Sequence, residues 1–312
     1  MLAPFVQPGH RLFQLARTGK RLPHIALAIP LTFVFVLAAQ VGGGLPLLLA
    51  QWLVFGDQGL PRDQPLIHGA AIALFLVAAF GPIFILLALW LRLFEKRPLW
   101  TLGFERDGAA RKYARGLLVG GGMFAASVGL MLPFGYVAPE AGLPEREGWF
   151  ALGGVLVIFF GWMVQGAAEE ALTRGWLMNV IGARYRPWLG VLVSSLVFAV
   201  LHGLNPNIGA LPLLNLFLFA VFAALYALWE RSLWGICAAH AAWNWMQGNV
   251  FGLQVSGSAE AGPMLFNLAE AGPDWFTGGA FGPEGGLAVT VILALAIAAL
   301  VLLLARPRSA KL

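Results

Sequence analysis

Eight stretches of this chain are each apolar for about the length a helix needs to cross a bilayer, and they constrain the fold more than any other feature. Crossing takes about 20 apolar residues. Such windows lie near residues 25–55, 66–91, 116–137, 149–181, 187–204, 209–229, 233–252 and 285–305, with no long polar segment between them. Composition agrees: 11% of residues are charged and 59% hydrophobic, whereas soluble domains carry roughly 25% charged residues. The expectation is an all-α, polytopic integral membrane protein of about eight transmembrane helices.

An even number of spans puts both termini on one side, and the positive-inside rule tests that arrangement. Of the 20 lysines and arginines, all but Arg62 and Arg146 fall on the proposed inner side. Both termini are therefore expected to be cytoplasmic: residues 1–24 as a basic segment, 25–305 as a single transmembrane domain, 306–312 as a tail. The first apolar stretch is too long for a signal peptide; Pro30, Gly42, Gly43, Gly44 and Pro46 suggest that it is kinked or partly re-entrant. The excess of five positive charges sits beside the spans rather than in a stripe of its own, which argues against nucleic acid. Cys237 is the only cysteine, so an intramolecular disulfide and a cysteine-based zinc site are both excluded. The stretch 254–284, rich in Gly and Pro and carrying Glu260, Glu270, Asp274 and Glu284, is expected to be a mobile outer loop.

Within the fourth window, residues 164–175 read VQGAAEEALTRG. Charges at depth in a bilayer cost about 2.5–3.5 kcal/mol each and mark function by default. Apolar character continues through Trp176, Leu177, Met178, Val180 and Ile181 to Arg184 and Arg186, so the glutamates lie well inside the span. Glu170 and Arg174 are one helical turn apart in the favourable order for a pair. Glu169 points about 100° away, free to face a water-filled cavity. A purely structural Glu–Arg clamp is the plainer alternative.

Two further spans carry polar groups at matching depth: His202 in the fifth, with Phe198 one turn before it, and His240 with Asn244 at i+4 in the seventh. Polar groups in lipid must satisfy one another, so the three spans are expected to converge. There is no HExxH zinc motif and no GxSxG elbow, which leaves Ser194 and Ser195 as helix-packing residues. Asp57 and Asp63 have no facing aspartate for a dyad.

The set Glu169-Glu170-x-x-x-Arg174, Phe198-x-x-x-His202 and His240-x-x-x-Asn244, in this order on separate helices, resembles the CAAX prenyl-protease and bacteriocin-processing family of intramembrane endopeptidases. The resemblance covers about residues 149–252 and looks like a bacterial member, which implies the inner (plasma) membrane. It implies that Glu169 activates water with help from His202, that His240 and Asn244 stabilise the oxyanion, and that Glu170, Arg174 and Phe198 support the site. Two chemistries stay open: a metal-free glutamate mechanism, or a zinc ion held by Glu169, His202 and His240. The implied partner is a peptide or protein substrate, lipidated or otherwise hydrophobic, within the lipid bilayer. A proton-coupled transporter and a non-catalytic membrane scaffold are the competing functions.

Overall fold

The computed structural model describes residues 9–56, 59–142, 144–258 and 262–306. Asp57, Glu260, Arg308 and Lys311 lie outside the described residues, as do residues 1–8 of the basic segment and the tail beyond Arg306. The chain is 76% helical with almost no sheet, the outcome expected when peptide groups in lipid must bond within their own segment.

A short helix α1 (Arg11–Arg17) and the first long helix α2 (Ile25–Ala39) start at His10 and His24, whose side chains accept from the backbone N–H groups of Leu12 and Ala26. Helix α2 continues through a π turn (Gln40–Gly44) into α3 (Leu45–Phe55). The first window is thus one continuous helical path, bulged at its glycines. Next come α4 (Pro65–Trp90), α5 (Ala109–Met131) and α6 (Leu152–Glu170); the last runs through a π-helical segment (Ala171–Met178) into α7 (Asn179–Arg184). The second half holds α8 (Pro187–Leu201), α9 (Ala210–Glu230), α10 (Trp234–Trp245), a four-residue α11 (Asp274–Thr277) and α12 (Leu287–Ala305).

Among the described residues, six helices are long and apolar enough to cross a membrane: 25–55, 65–95, 109–134, 148–184, 210–230 and 287–305. The other two expected spans are shorter. Helix α8 has 15 residues and stops where the chain turns at His202; α10 has 12, followed by a five-residue π turn (Met246–Val250). At about 1.5 Å per residue neither reaches about 30 Å. Apolar windows register composition, not where a hydrogen-bonded helix ends, so they overstated both.

These short helices are gripped by the long ones. Gly116 and Gly120 of α5 pass so close to α10 that a Cβ on either would collide with the carbonyl oxygens of Gly235 and Ala239. Small residues four apart let backbones approach in this way where apolar side chains gain nothing by leaving lipid. Trp176, Trp243, Phe124 and Phe198 fill the resulting core, together with a charged member, Arg174.

The expectation of a mobile loop at 254–284 is not met over its described part. Strand β1 (Val137–Pro139) pairs antiparallel with β2 (Leu268–Glu270), and Phe281, Thr277 and Glu284 are buried. The physical reason is that the loop's polar groups are used internally. Glu284 accepts from Trp243 Nε1 at 3.1 Å and from Ser256 Oγ at 2.6 Å, while Asn215 Nδ2 donates to Glu284 O at 2.7 Å.

Candidate active site

Glu169 and Glu170 end the regular part of α6. Just beyond, the Thr173 hydroxyl donates to Glu169 O at 2.6 Å, taking the carbonyl that an i→i−4 amide would use. The backbone changes to π pairing from Ala171 to Met178, a local widening often found at functional sites. Gly166, one turn before Glu170, lets α10 approach: a Cβ there would stand 3.0 Å from Ala241 N and 3.3 Å from His240 Cβ.

The two neighbouring carboxylates have different surroundings. Glu170 is fully buried, and its Oε1 accepts from Arg174 Nη1 at 3.1 Å and from His240 Nδ1 at 2.9 Å. Arg174 is therefore not its sole partner, because the close α6–α10 contact brings in the imidazole as well. Arg174 also donates to Thr173 Oγ1 at 2.6 Å and lies over the Phe198 ring, 4.3 Å from its centroid. Neither Glu170 nor Arg174 lines the cavity next to them.

Glu169 does line it. Its Oε1 accepts from Gln165 Nε2 at 2.8 Å, whereas Oε2 has no hydrogen-bond partner among the described residues and lies 3.8 Å from His240 Nε2. That last separation is beyond hydrogen-bond range. Gln165 in turn accepts from Asn244 Nδ2 at 3.0 Å, so one amide ties the glutamate of α6 to the asparagine of α10. Sequence reasoning missed Gln165. Its signal was its place one turn before Glu169, on the same face of the same span.

His202 caps the C-terminal end of α8, with Nδ1 2.8 Å from Phe198 O. A carbonyl can only accept, so Nδ1 carries a proton in this contact. The same logic makes His240 Nδ1 the donor to Glu170. Phe198 stands between the imidazoles, 4.6 Å from His202 and 6.2 Å from His240 between ring centroids. It is a wedge as well as a wall.

Gln165, Glu169, Phe198, His202, His240 and Asn244 all face one cavity of about 420 Å³. The rest of its lining is mostly apolar, from α2, α4 and α9 (Val36, Phe75, Phe80, Leu216), with Ser256, Ser258 and Glu284 of the folded loop at one side. The three spans thus bring a carboxylate, two imidazoles and two side-chain amides to one cavity. The zinc ligand set is less well served. His240 holds Glu170 through Nδ1, and among the described residues no group of three or more His, Cys, Asp or Glu side chains is placed to hold a metal ion. As arranged here, Glu169, His202 and His240 do not converge on one ion.

Residues 151–246 match the family model described as type II CAAX prenyl endopeptidase Rce1-like. The matched segment contains every residue of the three motifs, so the resemblance read from them is borne out. The match supports an intramembrane peptidase with a peptide or protein substrate. Searches of curated proteins and of solved structures gave no match.

Proposed function

We propose, on the premise that residues 151–246 belong to the Rce1-like CAAX endopeptidase family, that this chain hydrolyses a peptide bond with a water activated by Glu169, without a metal. The observation that carries the reading is the cavity shared by Glu169, His202, His240 and Asn244, with Glu169 Oε1 held by Gln165 and its buried Oε2 without a hydrogen-bond partner among the described residues.

In this reading, Glu169 Oε2 takes a proton from water while the water oxygen attacks the scissile carbonyl carbon, with His202 Nε2 accepting the second water hydrogen as a hydrogen bond. The carbonyl oxygen becomes an oxyanion. Asn244 has two amide hydrogens; one is used by Gln165, and the other donates to the oxyanion, while His240, whose Nδ1–H is committed to Glu170, adds a second donor only in the form that also carries a proton on Nε2. Loss of such a donor costs on the order of 100-fold in rate in other enzymes. The intermediate collapses as the C–N bond breaks, and Glu169 returns its proton to the leaving amine. Glu170 and Arg174 act through position, fixing the His240 ring and the Phe198 wedge.

The apolar walls suit a lipidated or otherwise hydrophobic peptide end within the membrane, and the catalytic core is about 149–252 of a single transmembrane domain. The test is a mass-spectrometric inventory of peptide C-termini in membranes of cells expressing wild type or Glu169→Ala at matched levels. Defined termini that vanish in the variant are expected, and their sequences name the substrate. Identical inventories would overturn the protease reading and favour a transporter or scaffold. A strong chelator should leave cleavage intact; loss restored by zinc would move the chemistry to the metal alternative.

A further inference from the structure

At the end of α4 the chain makes a π turn (Leu91–Glu95), and Lys96 then adopts left-handed backbone with φ 60°. This folds Arg97 back so that its N–H donates to Leu91 O at 3.0 Å. Arg92, Lys96 and Arg97 are thereby gathered around one surface pocket of about 530 Å³, whose other walls are Ala88, Pro98 and Leu99. Among the described residues no carboxylate lines it.

Arg97 is 3% exposed. Its Nε donates to Glu95 Oε2 at 2.7 Å and its Nη1 to Thr101 Oγ1 at 3.0 Å, but its Nη2 is buried with no partner among the described residues. Glu95 cannot answer the other cations. Its Oε1 already accepts from Trp90 Nε1 at 3.0 Å and Trp176 Nε1 at 2.6 Å. Arg92 and Lys96 are exposed and make no ion pair among the described residues. Three cations stand against one fully engaged carboxylate: Arg92 and Lys96 are exposed at the pocket, and the 0%-exposed Arg97 side chain adds its charge from within the fold, a balance that favours an anion there. The helix end does not oppose this strongly, because its terminal carbonyls are taken: Leu91 O by Arg97 N and Glu95 O by Lys20 N at 2.8 Å.

The surroundings indicate which anion. On the same helix Ile85, Leu89 and Leu93 are 63%, 49% and 64% exposed, at four-residue spacing that makes one apolar stripe leading to the pocket. We propose that the pocket binds the phosphodiester headgroup of an anionic glycerophospholipid, with its acyl chains along that stripe. The inference rests on the chain spanning a bilayer and is independent of the protease reading.

The test is native mass spectrometry of the purified full chain in nonionic detergent. Phosphatidylglycerol and phosphatidylcholine with the same acyl chains are offered at equal concentration, with and without inorganic phosphate. Wild type is expected to retain phosphatidylglycerol in preference. Each basic residue at a membrane surface is worth roughly fivefold in affinity, so Arg92→Gln/Lys96→Gln should cut that retention roughly 25-fold. Both side chains are exposed, and Arg92→Lys/Lys96→Arg, which keeps the charge, should keep the preference. Equal retention of the two lipids would overturn the proposal, as would unchanged retention in the neutral double variant. Displacement of phosphatidylglycerol by inorganic phosphate alone would assign the pocket to free phosphate instead.

Discussion

Replacing Arg174 by methionine removes the cation from a fully buried pair while leaving a flexible apolar chain of similar reach. The Glu170 carboxylate would keep only His240 Nδ1 at 2.9 Å, and the Phe198 ring would lose the guanidinium stacked 4.3 Å from its centroid. Water cannot compensate, since both side chains of the pair are 0% exposed. Breaking a buried pair from one side costs about 3–5 kcal/mol, because an uncompensated charge is left behind. At about 2.1 cal/mol/K of unfolding entropy per residue, that corresponds to a fall in Tm of roughly 5–8 °C for a chain of this size. Glu170→Gln should cost a similar amount, through an unpaired Arg174 and a weakened hold on His240. The double variant carries no unpaired charge, so it should recover about 1–3 kcal/mol relative to the sum of the single variants. Thermal unfolding in one detergent, followed by intrinsic tryptophan fluorescence, measures all four corners of the cycle. Single variants that melt with wild type, or penalties that simply add, would refute the argument that Glu170 and Arg174 depend on each other.

Gln165→Ala removes both the donor to Glu169 and the acceptor for Asn244, and misplacement of catalytic groups by about 1 Å costs about 100-fold; kcat on a peptide from the C-terminal inventory should fall by that order while KM changes little. Burial raises the Glu270 carboxyl in the folded loop from 4.5 to about 8. The folded state therefore holds this proton more tightly than the unfolded state, and the stabilisation, complete below 4.5, is lost as pH rises through about 8. Tm measured from pH 5 to 9 should accordingly decline less steeply in Glu270→Gln than in wild type. Gly120→Leu drives a side chain into Ala239 O of α10, and overpacking of this kind costs about 1–3 kcal/mol or more; a reduced Tm with displaced α10 fluorescence is expected, while Gly122→Leu, which meets nothing within 4 Å, should be tolerated.

Much of the candidate site was legible in the sequence because charge and imidazole are rare in apolar windows: Glu169, Glu170, Arg174, His202, His240 and Asn244 stand out against their neighbours. Gln165 did not stand out. An amide is a weaker exception in an apolar span than a carboxylate, and its meaning depends on Asn244, which is remote in sequence. That Glu170 would be shared between Arg174 and His240 also needed the fold, since it follows from the gap at Gly166. The six long helices could be read from composition, whereas the ends of α8 at Leu201 and of the α10 path at Val250 could not, because composition counts apolar residues and not hydrogen-bonded turns. The loop at 254–284 was misread for a related reason. Its Gly and Pro content describes local freedom, while its order comes from contacts with Trp243 and Asn215, which no pattern within 254–284 reveals.

The π-helical segment between Glu170 and Asn179 separates the rotational phase of two halves of one long helix. Before it, Glu169 and Gln165 line the cavity; within it, Trp176 Nε1 donates to Glu95, which does not line that cavity. Each residue turns an α-helix by about 100°, so deleting a single residue at Leu172 would swing everything below by about that angle. Arg174 would turn away from Glu170 and Trp176 from Glu95, although hydropathy and length would be almost unchanged. The segment is an angular joint: it lets the carboxylates and the indole answer to different neighbours, and it makes this helix far less tolerant of a one-residue deletion than of most substitutions on its lipid-facing side.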